Sequence, residues 1–181
     1  GGVTDASVVT GDGSGTEELS PAFAAVLGYL AGDGNIYYDE AEGVYGVRFT
    51  NAEEELLADF ERACREAFDA TPVRPPSEQR DDGVETVRLH GKAYAEAVLD
   101  AGINLETYDG KRLPEGVTEA SRAAKASFLR ALADSEGSVE ARNVRVFSSS
   151  YELLMGAKHL LLEFGVSSQI QTRSRESGRD V

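Results

Sequence analysis

The chain has 181 residues, carries 32 acidic against 18 basic side chains, and has a formal net charge of -14. That length makes one domain or two small ones packed closely together. A single cysteine, Cys64, excludes an internal disulfide, and two histidines, His90 and His159, remote from it, are too few for a zinc site. The longest apolar run, within Ala22 to Ala31, falls short of the roughly 20 residues that span a bilayer, and no basic leader precedes it, so a cytoplasmic location is expected.

Residues 1–19 are rich in Gly, Thr, Asp and Ser and read as a linker, and the "GDGSG" at Gly11 to Gly15 lacks the Gly-Lys-Ser/Thr ending of a phosphate loop. Ser20 followed by Pro21 is a strong helix start, and the helix is expected to run to about Gly32. Along it Ala24, Gly28 and Gly32 recur every four residues, a stripe of small side chains on one face, and Asp33-Gly34 closes it. A carboxylate is unfavourable there, because the partial negative charge of a helix C-terminus favours cations.

"NIYYDE" and "VYGVRFT" follow as two β-patterned runs around a turn containing Gly43. Asn51 with Glu54 three residues on predicts a capping box, opening an amphipathic helix that carries Leu56, Leu57, Phe60, Cys64 and Phe68. In that pattern Cys64 is a buried apolar residue. "PVRPP" and "VETVRLH" predict further β runs, and Lys92 to Ala101 a closing helix.

The pattern then returns. "AAKASFLRALADSEGSVE" predicts a second helix with its own small-residue stripe, Ser127, Ala131 and Ser135, closed by Glu136-Gly137. "SVEAR" and "VRVFSS" predict two strands, Ser149 with Glu152 a second capping box, and Leu153, Leu154, Ala157, Leu160, Leu161 and Phe164 a second amphipathic helix with His159 at its surface or core edge. "SSQIQTRSR" predicts a last β run. The domains expected are a first repeat over 20–109, a linker over 110–121, and a second repeat over 122–181 that lacks the closing strand and helix.

Two helices bearing small-residue stripes can cross more closely than the usual 8 to 10 Å, and their ends then coincide. Asp33 and Glu136 brought together would repel each other unless protonated or sharing a cation, and such oxygen ligands suit Mg²⁺, which takes one or two carboxylates plus phosphate and water. A metal held this way can drive phosphodiester hydrolysis. Gln169, Gln171, Arg173 and Arg175 alternate along the last β run, and Arg48, Arg88, Arg142 and Arg145 lie in others; Gln and Arg suit adenine and guanine edges in a major groove that a two-stranded ribbon can enter. Net charge taken literally argues against a polyanionic partner. However, high acidity with only four lysines, Lys92, Lys111, Lys125 and Lys158, is the composition of a protein working in concentrated intracellular salt. At about 1 M salt the Debye length is about 3 Å and that global repulsion is screened.

"VLGYLAGDG" and "LRALADSEG" resemble the two copies of the signature of LAGLIDADG homing endonucleases in their two-repeat, single-chain form. "GKRLPEGVTEASRAAKASFLRALADSEGSV" is similar to the segment leading into the second motif of intein-encoded members. The resemblance covers about residues 20–175. It implies an α+β fold of two pseudo-symmetric αββαββα-type repeats, with the motif helices at the centre and the sheets forming a saddle on double-stranded DNA. By the same resemblance the chain is a monomer with an internal pseudo-two-fold that cuts both strands with Mg²⁺. Asp33 and Glu136 would be the metal-binding catalytic acids, the carbonyls of Gly32 and Ser135 further ligands, and Lys111 the lysine that supports the active-site water.

Three departures stand out. Glu136 replaces the more usual Asp, the second repeat lacks its last strand and helix and with them a second catalytic lysine, and neither the nucleophilic first residue nor the terminal His-Asn of an intact intein is present. The alternatives to a site-specific endonuclease are a degenerate, non-cleaving DNA- or RNA-binding module of the same fold, such as an intein remnant, maturase or regulator, and a plain acidic interaction domain.

Overall fold

The first helix begins as its sequence dictates. In the computed structural model, which describes residues 18–76, 83–104, 111–140 and 143–173, the Ser20 hydroxyl accepts from the Phe23 N–H at 3.1 Å and Pro21 takes the first helical position. Most of the expected N-terminal linker lies outside the described residues. Helix α1 (Pro21–Asp33) leads directly into the hairpin β1 (Gly34–Asp39) and β2 (Val44–Asn51), turned at Gly43 with φ +67°. Then come α2 (Glu54–Phe68), β3 (Glu85–His90) and α3 (Lys92–Asp100), and the strands form one antiparallel sheet in the order β1-β2-β3.

The second half contains the short α4 (Glu115–Thr118), inside the segment expected to be linker, and α5 (Arg122–Glu136). After these come a second hairpin, β4 (Gly137–Glu140) and β5 (Asn143–Val146), and α6 (Tyr151–Glu163). Helix, strand, strand, helix therefore occurs twice in the same order, a mixed α+β architecture.

The core is built on α1, of which residues 24–32 are all buried. Tyr29, Phe49 and Phe60 pack against one another at ring-centroid distances of 4.9, 5.1 and 6.0 Å, joining α1 to β2 and α2. The Tyr29 hydroxyl escapes the cost of burial by donating to Asp59 at 2.6 Å, and Arg130 of α5 donates to the same carboxylate at 2.9 Å. Cys64 is fully buried beside this cluster, and His159 is exposed.

The small-residue stripes meet. A Cβ on Gly28 would lie 2.5 Å from the Phe128 carbonyl oxygen, 2.8 Å from Ala131 Cβ and 3.1 Å from the Leu132 nitrogen. One on Gly32 would lie 3.0 Å from both Ser135 Cβ and Glu136 Cγ. Backbone stands on the other side at Gly28, so no rotamer change makes room. Gly28→Ala is expected to destabilise the protein by about 1 to 2 kcal/mol through overpacking, despite the better helix propensity of Ala, in a denaturant titration.

Four expectations are corrected. The helix after Asn51 begins at Glu54 with Glu53 as N-cap and no side-chain cap, because Asn51 is the last residue of β2 and its side chain is used elsewhere. The cap of α6 is Ser150 rather than Ser149, its hydroxyl accepting from Leu153 N–H at 3.2 Å. The "PVRPP" run contributes only an isolated bridge, Val73 to Arg88, since two of its prolines follow and cannot donate to a ladder. Within "SSQIQTRSR", residues 167–173 are not in a strand, so Gln169, Gln171 and Arg173 lie outside regular secondary structure. Alternation alone does not make a strand without a neighbour to pair with.

The two hairpins differ in cover. In the first, Ile36 pairs with Val47 and both are buried, at 7% and 0% exposure, under the element that includes α3. In the second, Val139 pairs with Val144 and they are 84% and 65% exposed. No helix of the described residues is long and apolar enough to cross a membrane.

Candidate functional site

Asp33 is the last residue of α1 and Glu136 the last of α5, and each is followed by a glycine in extended conformation. Those glycines are required by close approach rather than by handedness. A Cβ on Gly34 would fall 2.5 Å from Leu30 Cα and 3.1 Å from the Arg48 carbonyl; one on Gly137 would fall 3.0 Å from the Ala133 carbonyl carbon and 3.2 Å from the Arg145 carbonyl. Each chain therefore folds back tightly from helix into strand, and each acid is left at the mouth of the helix crossing.

The carboxyl groups of Asp33 and Glu136 are close enough that each alters the other's titration. Glu136 is half-buried, and Asp33 is exposed. Burial first, and the neighbouring Asp33 charge second, push the Glu136 carboxyl up to about 7. Burial also raises Asp33, against the opposing effects of its hydrogen bonds and of Lys111. Near neutrality the pair holds on to a proton that two solvated carboxylates would have released.

Three further groups converge there. Lys111, half-buried, donates from Nζ to the Gly32 carbonyl. Burial lowers its pKa, and the two carboxylates oppose that shift. Asn51 donates from Nδ2 to Asp33 at 3.2 Å while its Oδ1 accepts from Glu53 N–H at 2.9 Å, so the amide is oriented from both ends. Ser135 packs against Gly32 and its hydroxyl donates to the Leu132 carbonyl at 3.1 Å. Asn51 was hidden in the sequence by its fit to a capping pattern.

Among the described residues no group of three His, Cys, Asp or Glu side chains could hold a metal. The donor set at the helix ends, two forced-together carboxylates with backbone carbonyls beside them, nevertheless fits a hard divalent cation whose remaining ligands are phosphate and water. The Gly32 carbonyl accepts from Lys111 in this structure, so a cation there would share that oxygen.

The outward face of the first sheet starts two residues beyond Asp33, at Asn35. Asn35, Arg48 and Arg88 are aligned in register across β1, β2 and β3, and Arg48 Nε donates to Asn35 at 2.6 Å. In the next row Tyr37 Oη meets His90 Nδ1 at 2.7 Å, and the Arg88 guanidinium stands 5.7 Å from the Tyr37 ring centre. Thr50 and Thr86 share a hydrogen bond at 2.9 Å. Counting in twos from Arg48 and Arg88 would have found Thr50, Thr86 and His90 in the sequence. Arg145 is exposed on β5, whereas Gln169, Gln171 and Arg173 are exposed beyond α6; Arg142 and Arg175 lie outside the described residues.

The acids between Glu53 and Glu66 are partly neutralised. Arg74, from the loop before β3, bonds to Glu61 at 2.6 Å, to Glu54 at 2.5 and 3.0 Å, and to Glu85 at 3.2 Å. The basic sheet face and the acidic helix face are thus on opposite sides of one layer.

A family model described as a LAGLIDADG-like domain matches residues 20–100 and again residues 123–181. The replication factor C small subunit of Methanocaldococcus jannaschii is 22% identical over 164 residues, 91% of this chain. The DNA polymerase II large subunit of Thermococcus kodakarensis is 34% identical over 153 residues, 78% of this chain. The chain spans only 8% of the length of each. Among solved structures, mesophilic variants of the homing endonuclease I-DmoI superpose with TM-score 0.70 at 19% identity, covering 90% of this chain and 87% of theirs. I-DmoI in complex with DNA and Ca gives 0.66 at 19% identity (88% and 80%), and with DNA and Mn 0.66 at 18% identity (87% and 85%). At such identities the superposition shows a shared fold.

Proposed function

The chain belongs to the family of LAGLIDADG-like domains, and from that premise we propose that it is a site-specific DNA endonuclease of the homing type, cutting both strands of a duplex with Mg²⁺ held between Asp33 and Glu136. The observation that carries this is the convergence of the two acids, with Lys111 and Asn51, at the end of the close α1–α5 crossing.

When bound, a divalent cation would neutralise charge on the phosphate and make a coordinated water more acidic. The chain's own residues do the rest. Asp33 and Glu136 would hold the ion, with the carbonyls of Gly32 and Ser135 as further possible ligands. Asn51 fixes the Asp33 carboxylate in one rotamer. Lys111 brings a positive charge into a half-buried position beside both acids, where it orients the attacking water and the phosphate oxygens.

The DNA surface is the outward sheet face, Asn35, Tyr37, Arg48, Arg88 and His90, continued by Arg145 in the second half and by Gln169, Gln171 and Arg173; Arg142 and Arg175, outside the described residues, are assigned to DNA contact from the sequence alone. Two repeats, 20–109 and 122–181, joined by 110–121 and closed into one monomer, fit the double match of the family model. Matches inside much longer curated proteins favour an intein-embedded origin, and the acidic, lysine-poor composition favours concentrated salt as the working medium.

Incubation with a pooled library of candidate insertion sites, in Mg²⁺ and concentrated KCl, should yield double-strand breaks at one sequence. Specific binding with no cleavage would instead favour the non-cleaving module. Arg48→Ala and Arg88→Ala are each expected to weaken binding about tenfold, the scale of one lost base or phosphate contact, in an anisotropy titration at fixed salt. Unchanged affinity in both would remove the first sheet from the interface.

A further inference from the structure

Four consecutive residues ahead of the second repeat are laid along the start of α6. Ser150, only 1% exposed, donates from its hydroxyl to the Lys111 carbonyl and with the same oxygen accepts from Leu153 N–H. Its own N–H donates to Ser148 Oγ at 3.1 Å, which fixes the turn before the helix. Arg112 Nε meets Glu152 at 3.0 Å, an exposed pair of small worth. One turn further on, a Cβ at Gly156 would stand 2.6 Å from Leu113 Cβ, so this glycine lets the segment lie against the helix backbone. Pro114 is buried behind it. The side chain that leaves this segment in the other direction is Lys111, reaching the Gly32 carbonyl at the end of α1.

We propose that Ser150 is a positioning residue for Lys111, and that the first turns of α6, through Ser150 and Gly156, form the cradle that delivers this lysine to the paired acids. The proposal rests on the reading of Lys111 as part of the cleavage site. A lysine has four rotatable side-chain bonds and about 2 kcal/mol of rotamer entropy. Its ammonium is placed only if the backbone from which it starts is fixed. Helix capping needs only the acceptor half of the Ser150 hydroxyl, a role that Asp, Asn or Thr fills as well. The donor half is spent on Lys111, and that division separates positioning from folding.

Ser150→Asp keeps the cap and cannot donate; Ser150→Thr keeps both functions. Measured in single-turnover cleavage of saturating target DNA, Ser150→Asp should be about 10 to 100 times slower than wild type, the cost of a displacement on the order of 1 Å. Ser150→Thr should cut within about threefold of wild type. Affinity for DNA in EDTA should stay near wild type in Ser150→Asp, while its denaturation midpoint falls because a carboxylate at this 1% exposed position loses its solvation. A slowing that is present well below the unfolding transition and vanishes in the Lys111→Met background is what a merely structural role would not give. Gly156→Ala, which pushes on Leu113 while favouring the helix, should slow cleavage in the same direction. The decisive comparison is Lys111→Met: adding Ser150→Asp to it should cost no further rate, because both act through one ammonium.

If Ser150→Asp cuts at the wild-type rate while Lys111→Met is slow, the positioning role is wrong and the reading of the site survives. Multiplicative losses in the double variant have the same meaning. If Lys111→Met cuts normally, or the wild-type protein cuts no target, the reading of Lys111 falls and the positioning role falls with it.

Discussion

Asp33→Asn is expected to leave DNA binding within about twofold of wild type and to slow cleavage by about 10³-fold, the equivalent of about 4 kcal/mol of lost transition-state stabilisation. The substitution is nearly isosteric. Asn at position 33 still offers an oxygen to the Asn51 amide that now bonds to Asp33 at 3.2 Å, and the tight return through Gly34 is untouched. The change is therefore confined to charge. One carboxylate in place of two halves the anionic pull on the cation, and Glu136, relieved of its neighbour's charge, titrates closer to the ordinary carboxylate range. A target-bearing supercoiled plasmid reports the loss, with binding followed separately in EDTA. Wild-type rates from Asp33→Asn would place the chemistry elsewhere in the molecule.

The parts of this site that could be read from the sequence are those fixed by local rules. The four-residue spacing of Ala24, Gly28 and Gly32, matched by Ser127, Ala131 and Ser135, foretells a close crossing because small side chains on one helix face have no other common use. Ser20-Pro21 sets where the first of those helices starts, and so where Asp33 falls. Lys111 was reachable only through the family resemblance, since nothing in its neighbours marks a lysine that crosses to another helix end.

Asn51 was misread for a physical reason. An Asn three residues before a Glu satisfies the capping pattern, and only the pairing of Asn51 with Glu85 across β2 and β3 shows that the chain is still strand at that point. Arg74 was missed similarly: it sits between prolines in an apparent β run, yet binds three carboxylates from two elements. The last run, "SSQIQTRSR", has the period of a strand and exposed Gln169, Gln171 and Arg173, but period two describes a face rather than a partner, and strand formation needs the partner.

Without divalent metal the protein should lose about 2 kcal/mol of stability between pH 5 and pH 8, and Glu136→Gln should abolish most of that loss. The folded protein raises the Glu136 carboxyl from its ordinary 4.5 to about 7. Between those values the native state holds a proton that the unfolded chain has already released, so stability falls as pH rises; the contribution is complete below about 4.5 and gone above about 7. At about 1.4 kcal/mol per pH unit the full shift would exceed 3 kcal/mol. The side chain is partly exposed, and screening reduces that to about 2 kcal/mol. Asp33, raised in the same direction, adds with the same sign. The loss measures the burial of the Glu136 carboxylate at the close crossing and, second to it, the repulsion from Asp33. A cation bound between them should reverse it at pH 8, by about 2.7 kcal/mol at a hundredfold excess over its dissociation constant, in wild type but much less in Glu136→Gln. Denaturant titrations at both pH values, with and without EDTA and all in concentrated KCl so that the net charge of -14 is screened alike, give these differences directly. Wild-type stability that rises from pH 5 to pH 8 in EDTA, or a variant that follows wild type throughout, would mean that the two carboxylates do not share a proton, and the case for a shared metal would lose its physical basis.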